Sequence, residues 1–189
     1  MAASGTLPQS RHLGYHGTMA NGLTYIRRTN SVEATKQLAA TLAPYVHPGD
    51  VIVLEGDLGA GKTHFTHGFA AALDIQTPVT SPTFNILLSY YHGRVPLHHL
   101  DLYRLDDATQ LEDIGYYELI DGDSDGVAFV EWAEKFPESL PCDYLEVVIR
   151  RDPADENARQ VRVHSFGPRS RQLLCVWARD SKSRLQKTA

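Results

Sequence analysis

The chain has 189 residues, 42% of them hydrophobic, and a formal net charge of −5, which suits one globular domain with a sizeable core, or one domain with tails. The acidic balance argues against independent, high-affinity nucleic-acid binding, which shows as a basic surplus, and leaves RNA contact through a partner open. Its two cysteines, Cys142 and Cys175, have neither metal spacing nor a disulfide framework. With no apolar run of membrane-spanning length and no basic-then-apolar leader, the expectation is a cytoplasmic protein without membrane contact.

Residues 1–22 are poor in aliphatics and rich in Gly, Ser and His, as a flexible leader would be, and Met19 offers an alternative start. A folded domain is expected over 23–178. Residues 23–28 alternate as a short strand. Asn30 or Ser31 can cap a helix over 31–42, with Glu33 placed for a capping box and Leu38 and Leu42 on one face. Pro44 and then Pro48-Gly49 close it.

The stretch VIVLEGDLGAGKTHF, residues 51–65, follows. An apolar run feeds the turn Gly56-Asp57-Leu58-Gly59-Ala60-Gly61-Lys62-Thr63, and a helical pattern begins at once. This is G-x-x-x-x-G-K-[ST] in its required context of strand before and helix after. Gly56, Gly59 and Gly61 let the backbone turn tightly and bring its N–H groups to an anion. The positive end of the helix points to the same place. Lys62 adds a mobile charge for outer phosphates, and the Thr63 hydroxyl suits Mg²⁺. A turn that only packed well would have no use for the Lys-Thr pair. The pattern predicts a nucleoside triphosphate site. With no Asn-Lys-x-Asp stretch of the kind that reads guanine, ATP is the expected nucleotide.

The next helix places Phe65, Phe69, Ala72 and Leu73 on one stripe, as a helix lying on a sheet requires. Residues 74–82 form a loop. Residues 84–91 and 95–103 are two strand-like runs separated by His92-Gly93-Arg94, a turn short enough to join them only as an antiparallel hairpin. The expected fold is therefore α/β, a P-loop NTPase-like three-layer sandwich with a mixed parallel and antiparallel sheet. Residues 106–120 are helical in pattern with a break at Gly115, and 121–126 form a solvated polar turn. Residues 127–130 are a buried strand. Residues 145–149 and 160–164 close the sheet across a charged loop at 151–158, and 170–177 form a last helix. The basic, polar tail 179–189 is expected to be solvated.

A triphosphate pocket becomes an enzyme when carboxylates hold the metal and position a water. Asp101, in LHHLDLYRL, and Glu131, at the end of VAFVEW, have suitable settings. The preferred assignment gives Asp101 to Mg²⁺ through its water shell and Glu131 to the attacking water, each weighed against a solvent-facing strand-end carboxylate. Trp132 is either core or a wall of the nucleotide site. Ser81-Pro82-Thr83-Phe84 is either a switch sensing the last phosphate or a rigid surface turn. His64 and His67 lie one helical turn apart, and His98-His99 point to opposite faces of a strand. Neither pair has a third ligand at zinc spacing. Arg104 is the one nearby candidate for an arginine finger, with a structural salt bridge the preferred role.

Taken together, PGDVIVLEGDLGAGKTHF, SPTF, HLDLYRL, LEDIGYYELI and VEWAEKFPESLP, in this order between about Thr24 and Phe166, resemble the TsaE (formerly YjeE) family of small bacterial P-loop ATPases. The resemblance implies a mixed-sheet α/β fold and Mg-dependent ATP hydrolysis. It implies association with a TsaB–TsaD heterodimer, which makes the threonylcarbamoyladenosine of tRNA over repeated cycles, so that tRNA is met only through the complex. It also implies that Lys62 and Thr63 serve phosphate and Mg²⁺, and that Asp101 and Glu131 are essential acids beside the metal. Thr83 then lies in the switch-like turn, and Trp132 lines the nucleotide region. One departure is His64, which stands where the family commonly has a second Thr. Two other classes remain as alternatives, a small-molecule kinase, for which the late charged stretch 151–158 is not clearly a lid, and a nucleotide-dependent binding module without catalysis.

Overall fold

The computed structural model describes residues 23–185, with side chains as far as Ser181; the leader expected over 1–22 lies outside the described residues. In chain order the elements are β1 (Thr24–Thr29), α1 (Val32–Ala40), β2 (Val51–Glu55), α2 (Lys62–Ala72), β3 (Leu87–Tyr90), β4 (Leu97–Asp101), α3 (Gln110–Asp113), α4 (Tyr116–Ile120), β5 (Val127–Glu131), β6 (Leu145–Asp152), β7 (Asp155–Ser165) and α5 (Pro168–Leu185). The strands form one seven-stranded sheet in the order β1-β7-β6-β2-β5-β4-β3. Its centre is parallel, β2 pairing with β5 and β6 and β4 with β5, and its margins are antiparallel. The mixed α/β sheet expected from the short turn before Val95 is present.

Strand alternation decides what each layer holds. Ile52, Leu54, Leu97, Val127 and Phe129 face one side, where they meet Leu38, Phe65, Phe69 and Trp177 of α1, α2 and α5. Val51, Val53, Leu100, Ala128 and Val130 face the other and pack on Leu111, Tyr116, Ile120 and Phe136. Helices therefore cover both faces, and the central strands read as unbroken apolar runs because both their faces are buried. Among the described residues no helix is long and apolar enough to cross a membrane.

Several local expectations are corrected. The N-cap of α1 is Ser31, whose side chain accepts from the Ala34 N–H, so Glu33 stands one position short of a capping box. On α2, Phe65, Phe69 and Leu73 are buried as expected, but Ala72 is exposed and Ala70 takes its place. The helical pattern of 106–120 breaks where Gly115 adopts φ 67°, leaving the short α3 and α4. No loop spans 151–158: β6 runs to Asp152 and β7 starts at Asp155, so the charged stretch is a hairpin. The last helix continues past Trp177 to Leu185 with Ser181 fully buried and hydrogen-bonded to the Tyr25 hydroxyl, so 179–185 is helix and not tail.

Candidate functional site

Parallel strands end on the same edge, and that edge holds the glycine turn after β2 and the two acids that end β4 and β5. The chain leaves β2 at Glu55 and turns through Gly56 (φ 148°), Gly59 (φ 74°) and Gly61 (φ 116°) into α2. The positive dihedral angles at Gly59 and Gly61 are ones that residues with a β-carbon rarely adopt. A β-carbon on Gly56 would also lie 2.4 Å from the Ile149 carbonyl oxygen. No side chain caps the start of α2, so its first-turn N–H groups are left to the loop's concave side.

Lys62, expected to be mobile, is held down. Its ammonium group donates to the Gly56 carbonyl at 2.6 Å, lies 3.9 Å from Glu131 Oε2, and sits 4.7 Å from the centre of the Trp132 ring. Asp101 and Glu131 are paired neighbours at the ends of β4 and β5, both nearly inaccessible to solvent, so neither is a solvent-facing strand-end acid. Alternation along each strand turns Leu97, His99 and Asp101, and likewise Val127, Phe129 and Glu131, toward the α2 side where the loop lies. Lys62, Thr63, Ser81, Thr83, Asp101, Glu131 and Trp132 all line one cleft of about 150 Å³, together with Leu58, Gly59 and Gly61. Gly56 and Ala60 are buried beneath it, and Asp57 is exposed at its margin.

The turn at 81–84 is tied into this cleft. The Thr83 hydroxyl donates to Asp101 Oδ2 at 2.5 Å and lies 2.8 Å from the Ser81 hydroxyl, while Asp101 Oδ1 accepts from the Tyr103 N–H. Ile86, at the end of the turn, has φ 66°, a strained value for a β-branched residue, and its carbonyl accepts from the Asp101 N–H. Trp132 leaves β5 with φ 61°, and its ring packs 5.0 Å from that of Tyr103 while lining the cleft, so it is a wall more than a core residue.

Three residues near the site were not singled out by the sequence, and a fourth, His99, was weighed there only as a zinc ligand. His99 is fully buried, and its Nε2 meets Glu131 Oε1 at 2.9 Å. Period-two spacing from Asp101 was the available signal, since it puts both residues on one face. Arg151 and Arg159, from the β6–β7 hairpin, donate to loop carbonyls: Arg151 to Gly59 at 3.2 Å and Arg159 to Ala60 at 2.7 Å. Lys135 donates to the carbonyls of Tyr103 and Leu105, which ties the turn after Glu131 to the turn after Asp101. Nothing local in the sequence announces these long-range contacts. Arg104 makes no ion pair among the described residues; its guanidinium lies 5.4 Å from the centre of the exposed Phe84 ring, so the expected salt bridge is replaced by a cation–π contact. His64 is partly exposed at the cleft, where partial burial first, and then the charge of Lys36, hold its imidazole below the usual value.

Comparisons with known proteins agree with the motifs. The family described as "Threonylcarbamoyl adenosine biosynthesis protein TsaE" matches residues 29–161. The tRNA threonylcarbamoyladenosine biosynthesis protein TsaE of Bacillus subtilis (strain 168) is 46% identical over 148 residues, covering 78% of this chain and 89% of that protein. Its counterpart in Nostoc sp. is 40% identical over 136 residues, 71% of this chain and 82% of that one. The crystal structure of Bacillus subtilis YdiB superimposes with a TM-score of 0.72 at 37% identity, covering 85% of this chain and 97% of that chain. The chain therefore belongs to the TsaE family, whose proteins take part in tRNA threonylcarbamoyladenosine biosynthesis.

Proposed function

We propose that this chain binds Mg-ATP in the cleft and hydrolyses it, weakly alone and faster with its partners. On this proposal it associates with a TsaB–TsaD complex and supports repeated cycles of threonylcarbamoyl transfer to adenosine in tRNA. It meets tRNA only through that complex. The observation that carries the ATPase reading is the convergence of Lys62 and two buried acids from adjacent strands on a glycine turn whose following helix is uncapped.

The donor set fits a polyphosphate with a divalent cation. The loop N–H groups and Lys62 supply positive potential for the phosphates. Thr63, Asp101 and Glu131 supply the hard oxygen ligands and water acceptors that Mg²⁺ takes. Bound there, Mg²⁺ neutralises the charge of the terminal phosphates. Glu131 is placed to accept a proton from a water attacking the terminal phosphorus, as the bond to the leaving ADP oxygen breaks. Thr83, hydrogen-bonded to Asp101, connects that acid to the 81–84 turn, which can thereby respond to the state of the phosphates.

Weak turnover alone follows from the arginines at hand. Arg151 and Arg159 are engaged by loop carbonyls and Arg104 by Phe84, so none is free over the cleft. A residue supplied by a partner raises such rates by roughly 10³–10⁵-fold. The test is phosphate release from Mg-ATP with and without purified TsaB–TsaD, alongside tRNA modification followed over many turnovers. Partner-stimulated release and modification beyond one turnover are expected. A chain that binds no nucleotide, or a complex that cycles equally well without it, would sink the proposal.

A further inference from the structure

His99 occupies the middle of the sheet with no solvent contact, among neighbours that are apolar on the same face, Leu97 and Phe129. Its two ring nitrogens have unlike surroundings. Nε2 lies 2.9 Å from Glu131 Oε1, while Nδ1 is buried with no hydrogen-bond partner. A ring with a carboxylate at one nitrogen and nothing at the other carries its proton at the first, so Nε2–H donates and Nδ1 is left bare. Leaving a buried polar atom unpaired costs about 1–3 kcal/mol. A leucine here would avoid that penalty, so packing alone gives no reason for an imidazole. The compensating interaction is the bond to Glu131.

That bond divides the carboxylate's labour. Glu131 Oε1 is taken by His99, and Oε2 is directed to the Lys62 side, 3.9 Å from its ammonium group. Without a donor at Oε1 the buried side chain has no anchor on the strand side, and Lys62 can draw both oxygens to itself. We propose that His99 is a positioning residue for Glu131: it holds the carboxylate in the one orientation that leaves Oε2 facing the cleft. The proposal rests on the reading of Glu131 as acceptor of the water proton. It requires no proton to pass to the ring, because Nε2 already bears one. The proton taken from water stays on Oε2 until the products leave.

The experiment uses the full chain with its TsaB–TsaD partners and five proteins: wild type, His99→Leu, His99→Gln, Glu131→Gln and the double variant His99→Leu/Glu131→Gln. His99→Leu is expected to lower kcat for ATP roughly 10–100-fold, the scale on which such supporting contacts act, with KM within about twofold. Its thermal midpoint should stay within a few degrees of wild type, because relief of the orphaned Nδ1 is offset by the bond that the buried Glu131 Oε1 loses. His99→Gln, which can present an N–H near the position of Nε2, should recover most of the rate and so guards against a folding failure in the leucine variant. In the Glu131→Gln background the leucine substitution should cost almost nothing further, because both changes remove one function. A readout independent of turnover is the ¹⁵N spectrum of histidine-labelled chain, where His99 should show an Nε2-protonated ring with an exchange-protected proton. Wild-type kcat in His99→Leu, a full additive loss in the Glu131→Gln background, or a ring protonated at Nδ1 would each overturn the proposal. Absence of partner-stimulated hydrolysis in the wild type would instead overturn the ATPase reading, and the spectrum would still report on the contact.

Discussion

Thr83 and Asp101 meet through a 2.5 Å hydrogen bond in which the hydroxyl of a surface turn donates to Oδ2 of a buried strand-end acid. A turn that carried no function would have no reason to engage the carboxylate proposed for the metal. The bond makes the 81–84 segment and Asp101 one mechanical unit, so a change at either is felt by the other. Thr83→Val keeps the shape and removes the donor. It is expected to lower partner-stimulated ATP turnover roughly 10–100-fold, as for other groups that orient a metal ligand, with a thermal midpoint within a few degrees of wild type. Steady-state phosphate release and differential scanning fluorimetry would check both halves.

Lys62 and Glu131 should separate binding from chemistry. Lys62 is held against the loop and close to Glu131, so Lys62→Ala removes the phosphate charge and also leaves a buried carboxylate with one partner fewer. Both ATP binding and turnover should be lost. Glu131→Ala should retain ATP binding and abolish turnover. Isothermal titration calorimetry alongside a phosphate-release assay distinguishes the two, and normal hydrolysis by Glu131→Ala with partners present would show that the acid has been given the wrong role.

Arg159 reaches the glycine turn from the β6–β7 hairpin and donates to the Ala60 carbonyl at 2.7 Å. Its removal should loosen the loop without touching the cleft's acids. A single such hydrogen bond contributes about 0.5–1.5 kcal/mol, so Arg159→Ala should weaken nucleotide affinity by roughly 2–10-fold. The rate at saturating ATP should change little. Calorimetric titration of the variant and wild type at one salt concentration is sufficient.

Glu146, half-buried on β6, should make stability depend on pH. Burial first, and then the charges of Glu55 and Glu134, push its carboxyl up to about 7. The folded state therefore holds this proton over a range where the unfolded chain, titrating near the ordinary value of 4.5, has released it. Its contribution is favourable in neither direction below about 4.5, where both states are protonated, and becomes a penalty as pH rises toward and past 7. Glu146→Gln should be more stable than wild type at pH 8, by about 1 kcal/mol once solvent screening of a half-exposed group is allowed for. The difference should close as pH falls below about 5. Urea melts of both proteins at pH 5 and pH 8 would show a constant gap if the assignment is wrong.

Much of the architecture was legible because its causes are local. Apolar runs at 51–54 and 127–130 lie in the central strands, the short turn before Val95 belongs to a six-residue connection, 91–96, that joins the antiparallel β3 and β4, and Gly115 breaks the helical pattern where it can adopt a positive φ. Misjudged elements share a physical reason as well. A charged stretch such as 151–158 reads as a loop when only its own polarity is considered, yet it forms the end of the β6–β7 hairpin, where Arg151 pairs with Arg159 and Asp152 with Asp155. The end of α5 reads as tail because its burial comes from Tyr25, far away in sequence.

The sequence by itself determined the glycine turn, its lysine and threonine, and the two strand-end acids, because each follows on a strand-like run that can be read locally. Only the tertiary structure decided what surrounds them. That Lys62 is tethered, that Glu131 leans on His99, that Thr83 holds Asp101, and that Arg159 steadies the loop from the far hairpin all depend on sheet order and register. Those are properties of strands meeting across the fold, and side chains brought together that way carry no mark in the residues next to them in the chain.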